Sequence, residues 1–453
     1  MLLFSILIYI VSLVFTIIII VKQKTEKYNR SNLVTILFLI VIALYTLPLP
    51  IHCLMTEKEF WVSGDISYNI YNFVGQMPTA VFLVSFFNVF FAIFYTSLIL
   101  KLKGKKNNKH RMPKKIFLFM MIILIIVSFF MLQKLGESVG GIVNIILLGY
   151  KVTEYFLGQQ IYAIAFEWLV TVSILFLVFS VEQKNKKYKI LAFVFIILLG
   201  MVFMIMGRRA LIVVLGLSVL FIYHVKIKKI KFRTFLILLI GSFFMLNVIG
   251  LLRGDSYESL DSISETISNK SISYKENNVF EDNIFYTLTT GNFSVPFETM
   301  PQSIEALGTA YNLGYGFYSL QSVFLLVPSS VWNDRPLPLS NWYMKTYYGE
   351  NQQNIGRQFY ILTSAFMDFG VFGILLISLF LALLFSWISV NFKILKNDFI
   401  KFTILTLFVG NILNLVSNDL IGFSVVFFKS FLIPIIILSF FTKKISITPK
   451  DQL

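Results

Sequence analysis

Long apolar runs without a single charge recur along most of this chain, and few structures can accommodate them. Residues 2–21, 76–100 and 369–390 each lack any charged side chain. Inside a bilayer the backbone must satisfy its own hydrogen bonds, so such runs fold as helices. About 20 helical residues, rising 1.5 Å each, cross the ~30 Å hydrocarbon layer. Runs of this kind cover residues 2–21, 33–51, 76–100, 116–133, 160–181, 190–206, 209–225, 234–252, 369–390, 400–417 and 420–441. The expectation is therefore an all-α polytopic membrane protein with about eleven transmembrane helices. Composition agrees: 14% of residues are charged, against roughly 25% in soluble domains. The first run follows Met1 with no basic segment and no small-residue cleavage site, which reads as a retained helix.

The net charge of +16 suggests nucleic acid until the charges are placed. Six clusters, Lys22–Arg30, Lys101–Lys115, Lys184–Lys189, Lys226–Arg233, Lys393–Lys401 and the tail from Lys443, hold 27 of the 39 Lys and Arg. With the adjoining Glu182 they hold only four of the 23 Asp and Glu. These clusters fall in alternate loops, as the positive-inside rule requires. The N-terminus is then outside and the C-terminus inside, and nucleic acid is not a partner. The apolar segment Val139–Phe156, interrupted by Lys151 and Glu154, is expected to lie at the outer face without crossing.

Between Arg253 and Gln358 about 105 residues run without a membrane span. Loops beyond about 15 residues tend to be functional or disordered. This one opens on a polar stretch near 256–278, becomes aromatic through Phe285–Val327, and ends in PSSVWNDRPLPLSNWYMKTYYGENQQNIGRQFYILTSAFMDFG, Pro328 to Gly370. The chain thus divides into an N-terminal helical region (1–252), an extracytoplasmic loop with interfacial helices (253–368), and a C-terminal helical region with its tail (369–453). A second piece is the tight turn Met206-Gly207-Arg208-Arg209-Ala210 between two spans. Its arginines suit either snorkelling to lipid phosphate or an anion site, because a guanidinium matches phosphate oxygens in a bidentate way.

All five outer arginines, Arg208, Arg209, Arg253, Arg335 and Arg357, fall at membrane boundaries or in the final loop segment. They are the candidates for phosphate recognition. Asp334 and Asp368 are the carboxylates best placed beside them, either as a general base for a hydroxyl or in plain ion pairs with Arg335 or Arg357. Glu350 and Asp255 are weaker candidates on solvent-facing loops. Trp332, Trp342 and Tyr347 could stack on sugar rings, or simply belong to the aromatic belt of the interface. Glu167 and Lys429 sit inside predicted spans, where charges commonly face a cavity or each other. Cys53 is alone and the three histidines are scattered, so no disulfide framework or metal site is expected. No P-loop, dinucleotide fingerprint, zinc spacing or nucleophile elbow is present.

In its layout the chain resembles the oligosaccharide repeat-unit polymerases, the O-antigen and capsule polymerases of the Wzy type. The matching parts are the arginine turn GRRALIVVL, the large outer loop, and VPSSVWNDRPLPLSNWYMKTYYG followed by FMDFGVFGILL. Family members often start the following span with a Glu-x-Tyr-x-Asn-Phe-Gly-like sequence. Here Ser364 occupies the Glu position and Asp368 the Asn-like one, so a role for that Glu does not carry over. The resemblance implies a glycosyltransferase at the outer face of the bacterial cytoplasmic membrane, using undecaprenyl-diphosphate-linked oligosaccharide and no cofactor. The growing chain would pass from its lipid diphosphate to the non-reducing end of a new unit, alongside a flippase and a chain-length regulator. Arg208, Arg209, Arg253, Arg335 and Arg357 would bind diphosphate. Asp334, Asp368 and Arg335 would serve the transfer itself, and Trp332, Trp342 and Tyr347 the sugars. An O-antigen-ligase-like transferase, a flippase of lipid-linked oligosaccharide and a non-catalytic assembly component are the other readings. A flippase would line a central cavity with charges from many spans, whereas this chain has two deep charges and a long outer loop.

Overall fold

The computed structural model describes residues 1–23, 31–55, 60–63, 66–69, 75–102, 108–111, 113–148, 160–230, 234, 295–327, 331–332, 334–348, 358–440 and 443–446. Among these, nine helices are long and apolar enough to cross a membrane. In chain order the principal helices are α1 (Leu2–Lys22), α2 (Leu33–Met55), α3 (Met77–Lys101), α4 (Lys114–Glu137), α5 (Ala165–Glu182), α6 (Lys186–Ile205) and α7 (Arg209–Ile227). They continue with α8 (Val295–Ala306), α9 (Phe317–Leu326), α10 (Leu339–Tyr348), α11 (Ile361–Asn397), α12 (Phe399–Gly410) and α13 (Leu420–Ser439). Two short antiparallel pairs complete the set: β1 (Phe60–Ser63) with β2 (Ile66–Asn69), and β3 (Asn108–Arg111) with β4 (Lys443–Ser446). The protein is an all-α polytopic membrane protein.

Apolar side chains lie on both sides of these helices. One set packs inside: Phe38 stacks on Phe385 at 4.4 Å and Phe117 on Phe179 at 3.9 Å, tying α2 to α11 and α4 to α5. The other set faces outward, as with Ile122, Ile126, Phe129 and Phe130 of α4 and Ile190, Ile197, Leu198 and Met201 of α6. So much apolar surface would drive aggregation in water but suits lipid. Where α7 meets α12 the backbones approach closely, as small residues allow in membranes. A Cβ on Gly410 would come within 2.3 Å of Ser218 Oγ.

The described residues of the basic clusters gather at one end of the bundle. β3 pairs with β4, joining the Lys101–Lys115 loop to the tail. The Lys114 ammonium lies 5.0 Å from the Tyr188 ring, and Lys226 pairs with Glu182 at 3.2 Å while covering the Phe402 ring. Ser31 N–H donates to Ser389 O. At the opposite end Tyr360 meets Thr46 at 2.9 Å and Phe359 N–H donates to Ser417 O. Alternate loops therefore do share a face.

Two parts of the helix map differ from the sequence reading. The expected span 400–417 is broken: α12 ends at Gly410, and a short turn of helix, Ile412–Val416, follows. Asn411 donates its side-chain amide to Leu407 O and Asn414 donates to Asn411 Oδ1, a local competition that ends regular helix. The helix α8, with Pro301 inside it, falls in the loop expected to carry interfacial helices, but most of its residues are buried. The expected span 234–252, the polar stretch 256–278 and most of the segment after Leu148 fall outside the described residues.

The turn between α6 and α7 closes as a Schellman motif. Arg208 N–H donates to Phe203 O and Gly207 N–H to Met204 O, with Gly207 at φ 64°. Alanine at Gly207 is expected to cost roughly 1–2 kcal/mol, the penalty of a left-handed residue with a Cβ. Thermal unfolding in detergent measures it.

Candidate functional site at the face opposite the basic loops

The segment Gly314–Val327 is the centre of this face, and α9 is its body. An α-helical turn, Phe317–Gln321, passes into a 3-10 turn, Ser322–Leu326, so both ends present unpaired backbone groups. At the N-terminal end the Asp368 carboxylate accepts from the N–H groups of Gly316, Tyr318 and Ser319 at 3.0–3.1 Å, and from Ser319 Oγ. Backbone bonds from Gly314 N to Met367 O and Tyr315 N to Asp368 O fix the same junction. In the middle, Ser322 Oγ donates to Asp419 Oδ2 at 3.0 Å, and Asp419 also caps α13 through Gly422 N at 2.7 Å. At the C-terminal end Lys429 Nζ donates to Leu325 O at 2.7 Å and the Arg335 guanidinium donates to Val327 O. An anion holds the positive end of the helix and two cations hold the negative end, as the macrodipole favours.

This corrects two expectations. Asp368 forms no ion pair with Arg335; its carboxylate accepts from four donors at the start of α9 instead. Lys429 does not pair with Glu167; its ammonium is on Leu325 O, and the electrostatic partner of Glu167 is Arg208. The Arg208 guanidinium sits 4.1 Å from the Phe166 ring centre. Next to Glu167, the Trp168 indole donates to Lys429 O at 3.3 Å, so the Arg208 turn and Lys429 both contact α5. Arg209 begins α7, half-buried. Arg253 and Arg357 lie outside the described residues, as do Glu350 and Asp255.

Beside α9 an open cleft of about 540 Å³ is lined by Gln321, Pro336, Leu337, Trp342, Lys345 and Thr346. Trp342 forms its aromatic wall, held by Tyr318 at 5.2 Å and edge-on by Tyr311 at 6.2 Å. Tyr347 lies behind Trp342, against Tyr343 at 4.8 Å, in a packed aromatic cluster. It supports the wall rather than offering a stacking face. Trp332 is exposed and meets Phe324 edge-on at 5.4 Å. Burial raises the pKa of the Tyr311, Tyr318 and Tyr347 phenols, so they remain neutral donors. Burial also lowers that of Arg335, a desolvation cost that a bound anion would relieve. Asp334, next to Arg335, is exposed and makes no hydrogen bond or ion pair among the described residues.

Sequence reasoning missed Asp419 and the 314–327 segment that it holds. Asn418-Asp419 before an apolar run is a helix-start signal that marks Asp419 as a cap. Compared with known families, curated proteins and solved structures, the chain matches none.

Proposed function

We propose that the protein is a membrane glycosyltransferase that joins undecaprenyl-diphosphate-linked oligosaccharide repeat units into surface polysaccharide. It would work in the bacterial cytoplasmic membrane, N-terminus outside, with the face opposite the basic loops turned outward. The observation that carries this reading is the gathering of Arg335, Lys345 and Lys429 with an aromatic-walled cleft around α9. Cations at a membrane boundary suit a lipid diphosphate, and an indole face suits a sugar ring.

In this reading the hydroxyl of the new unit attacks the anomeric carbon of the growing chain. The bond from that carbon to the diphosphate oxygen breaks, and the diphosphate leaves with the electron pair. Arg335 stabilises the charge that develops. Asp334 is the carboxylate with free oxygens beside it and takes the hydroxyl proton; Asp368 only positions α9.

A strain lacking the gene should lose its long glycan ladder on a gel and retain single capped repeats. Accumulation of unflipped lipid-linked units would instead assign a flippase. Arg335→Ala should lower ladder formation about 100-fold or more at unchanged protein level, and normal ladders would remove Arg335 from the site.

A further inference from the structure

We propose that the β3–β4 ribbon docks on the anionic phospholipid headgroups of the leaflet at the basic end of the bundle, and that its two strands pair fully only there. This surface lies at the other end of the molecule from the α9 cleft.

Local preference does not account for this ribbon. β3 reads Asn-Lys-His-Arg and β4 Lys-Lys-Ile-Ser. Lys and Asn are poor strand formers, and a lone two-stranded pair is marginal in water. No tight turn joins the strands, since one ends at Arg111 and the other begins at Lys443. Their register adds a cost. Arg111 stands directly opposite Lys443, and His110 opposite Lys444; like charges in that position repel. Alternation along each strand puts Lys109, Arg111, Lys443 and Ile445 on one face of the ribbon. Positive-inside bias explains basic residues in these loops, but not strands that set them face to face. Residues 101–115 hold eight Lys and Arg and no Asp or Glu. The described carboxylates at this end are engaged elsewhere. Asp398 caps α12 through Lys401 N and pairs with the Lys401 ammonium at 3.6 Å, and Glu182 pairs with Lys226 at 3.2 Å.

The occupant follows from how closely the ribbon is tied to the membrane. α4 begins at Lys114, three residues after Arg111, and α13 ends at Ser439, four residues before Lys443. At ~3.5 Å per residue these tethers reach at most about 11–14 Å. That is the depth of a headgroup layer plus about one Debye length. β3 also packs against α12. The like-charged pair Arg111–Lys443 is thus the membrane-proximal end of the ribbon, and the first anions it meets are lipid phosphates. An anionic leaflet attracts each Lys or Arg brought to it, and the attraction fades within a Debye length.

Hydrogen exchange of the full chain in nanodiscs reads the pairing. Phosphatidylglycerol discs should slow exchange of the β3 and β4 amides at least about tenfold relative to phosphatidylcholine discs. High salt should remove the effect, and the amides of α9 should exchange alike in both lipids. Lys443→Glu, which sets an opposite charge across from Arg111, should pair the strands in either lipid. Equal exchange in the two lipids, or slowing that extends equally to α9, overturns the proposal. So does a Lys443→Glu protein that keeps the lipid dependence of the parent. Slowing by soluble polyglutamate in phosphatidylcholine discs, where phosphatidylglycerol has no effect, overturns the lipid assignment and marks a site for an acidic protein segment.

Discussion

Asp368→Ala is expected to destabilise the protein by about 3 kcal/mol or more, and to disorganise α9 before any other part. The substitution leaves three backbone N–H groups and a hydroxyl without their acceptor in a place where Asp368 itself is 1% exposed. Each stranded buried donor costs about 1–3 kcal/mol, and relaxation of the turn recovers part of it. Asp368→Asn keeps one acceptor oxygen but sets an NH2 against the N–H groups, so it should lie between. Thermal unfolding, with ladder formation measured in parallel, separates capping from chemistry. A capping residue loses stability and activity together. If Asp368→Asn melted like the parent yet had no activity, the carboxylate would be a base after all.

The second large effect concerns Gly373. α11 runs over 37 residues, and a straight helix of that length would reach about 55 Å, far beyond the ~30 Å of hydrocarbon. It is broken at Gly370, whose φ 59° and ψ −142° are open to glycine, and the leg Ile361–Phe369 folds back on the helix that follows. A Cβ on Gly373 would stand 1.8 Å from Ala365 O and 2.6 Å from Ala365 C, both rigid backbone. Gly373→Ala should therefore cost about 3 kcal/mol or more, at the upper end of overpacking. Gly216→Ala is the control: a Cβ there meets nothing within 4 Å, and alanine in mid-helix should add up to about 1 kcal/mol. Equal melting of the Gly373→Ala and parent proteins would rule out the fold-back.

How much of this was legible follows from the range of each interaction. Spans show in a sequence because solvation by lipid is decided residue by residue, and so the ends of α1 and α3 fall near their apolar limits. The shared face of the basic loops shows for the same reason. α8 did not show as a buried helix, because Glu298, Thr299, Ser303 and two prolines leave it no continuous apolar run. The work of Asp368 and Lys429 was hidden by distance: their partners lie 49 to 52 and 104 residues away along the chain. Arginine, aspartate and tryptophan could be nominated by type. Which of them hold the scaffold and which face the cleft depended on contacts that no local pattern records.

The bundle interior also has a consequence for the order in which the protein is made. The Tyr95 hydroxyl of α3 sits 2.8 Å from both Asn32 Oδ1 and Ser389 Oγ, and Thr35 meets the same Ser389 at 3.2 Å. Tyr95 and Ser389 are 294 residues apart, which a ribosome adding 5–20 residues per second covers in roughly 15–60 s. For that interval the early helices carry hydroxyls in lipid whose final partner has not been synthesised. A chain cut short before α11 would keep Tyr95 and Thr35 without Ser389, the partner that ties the early helices to the late one.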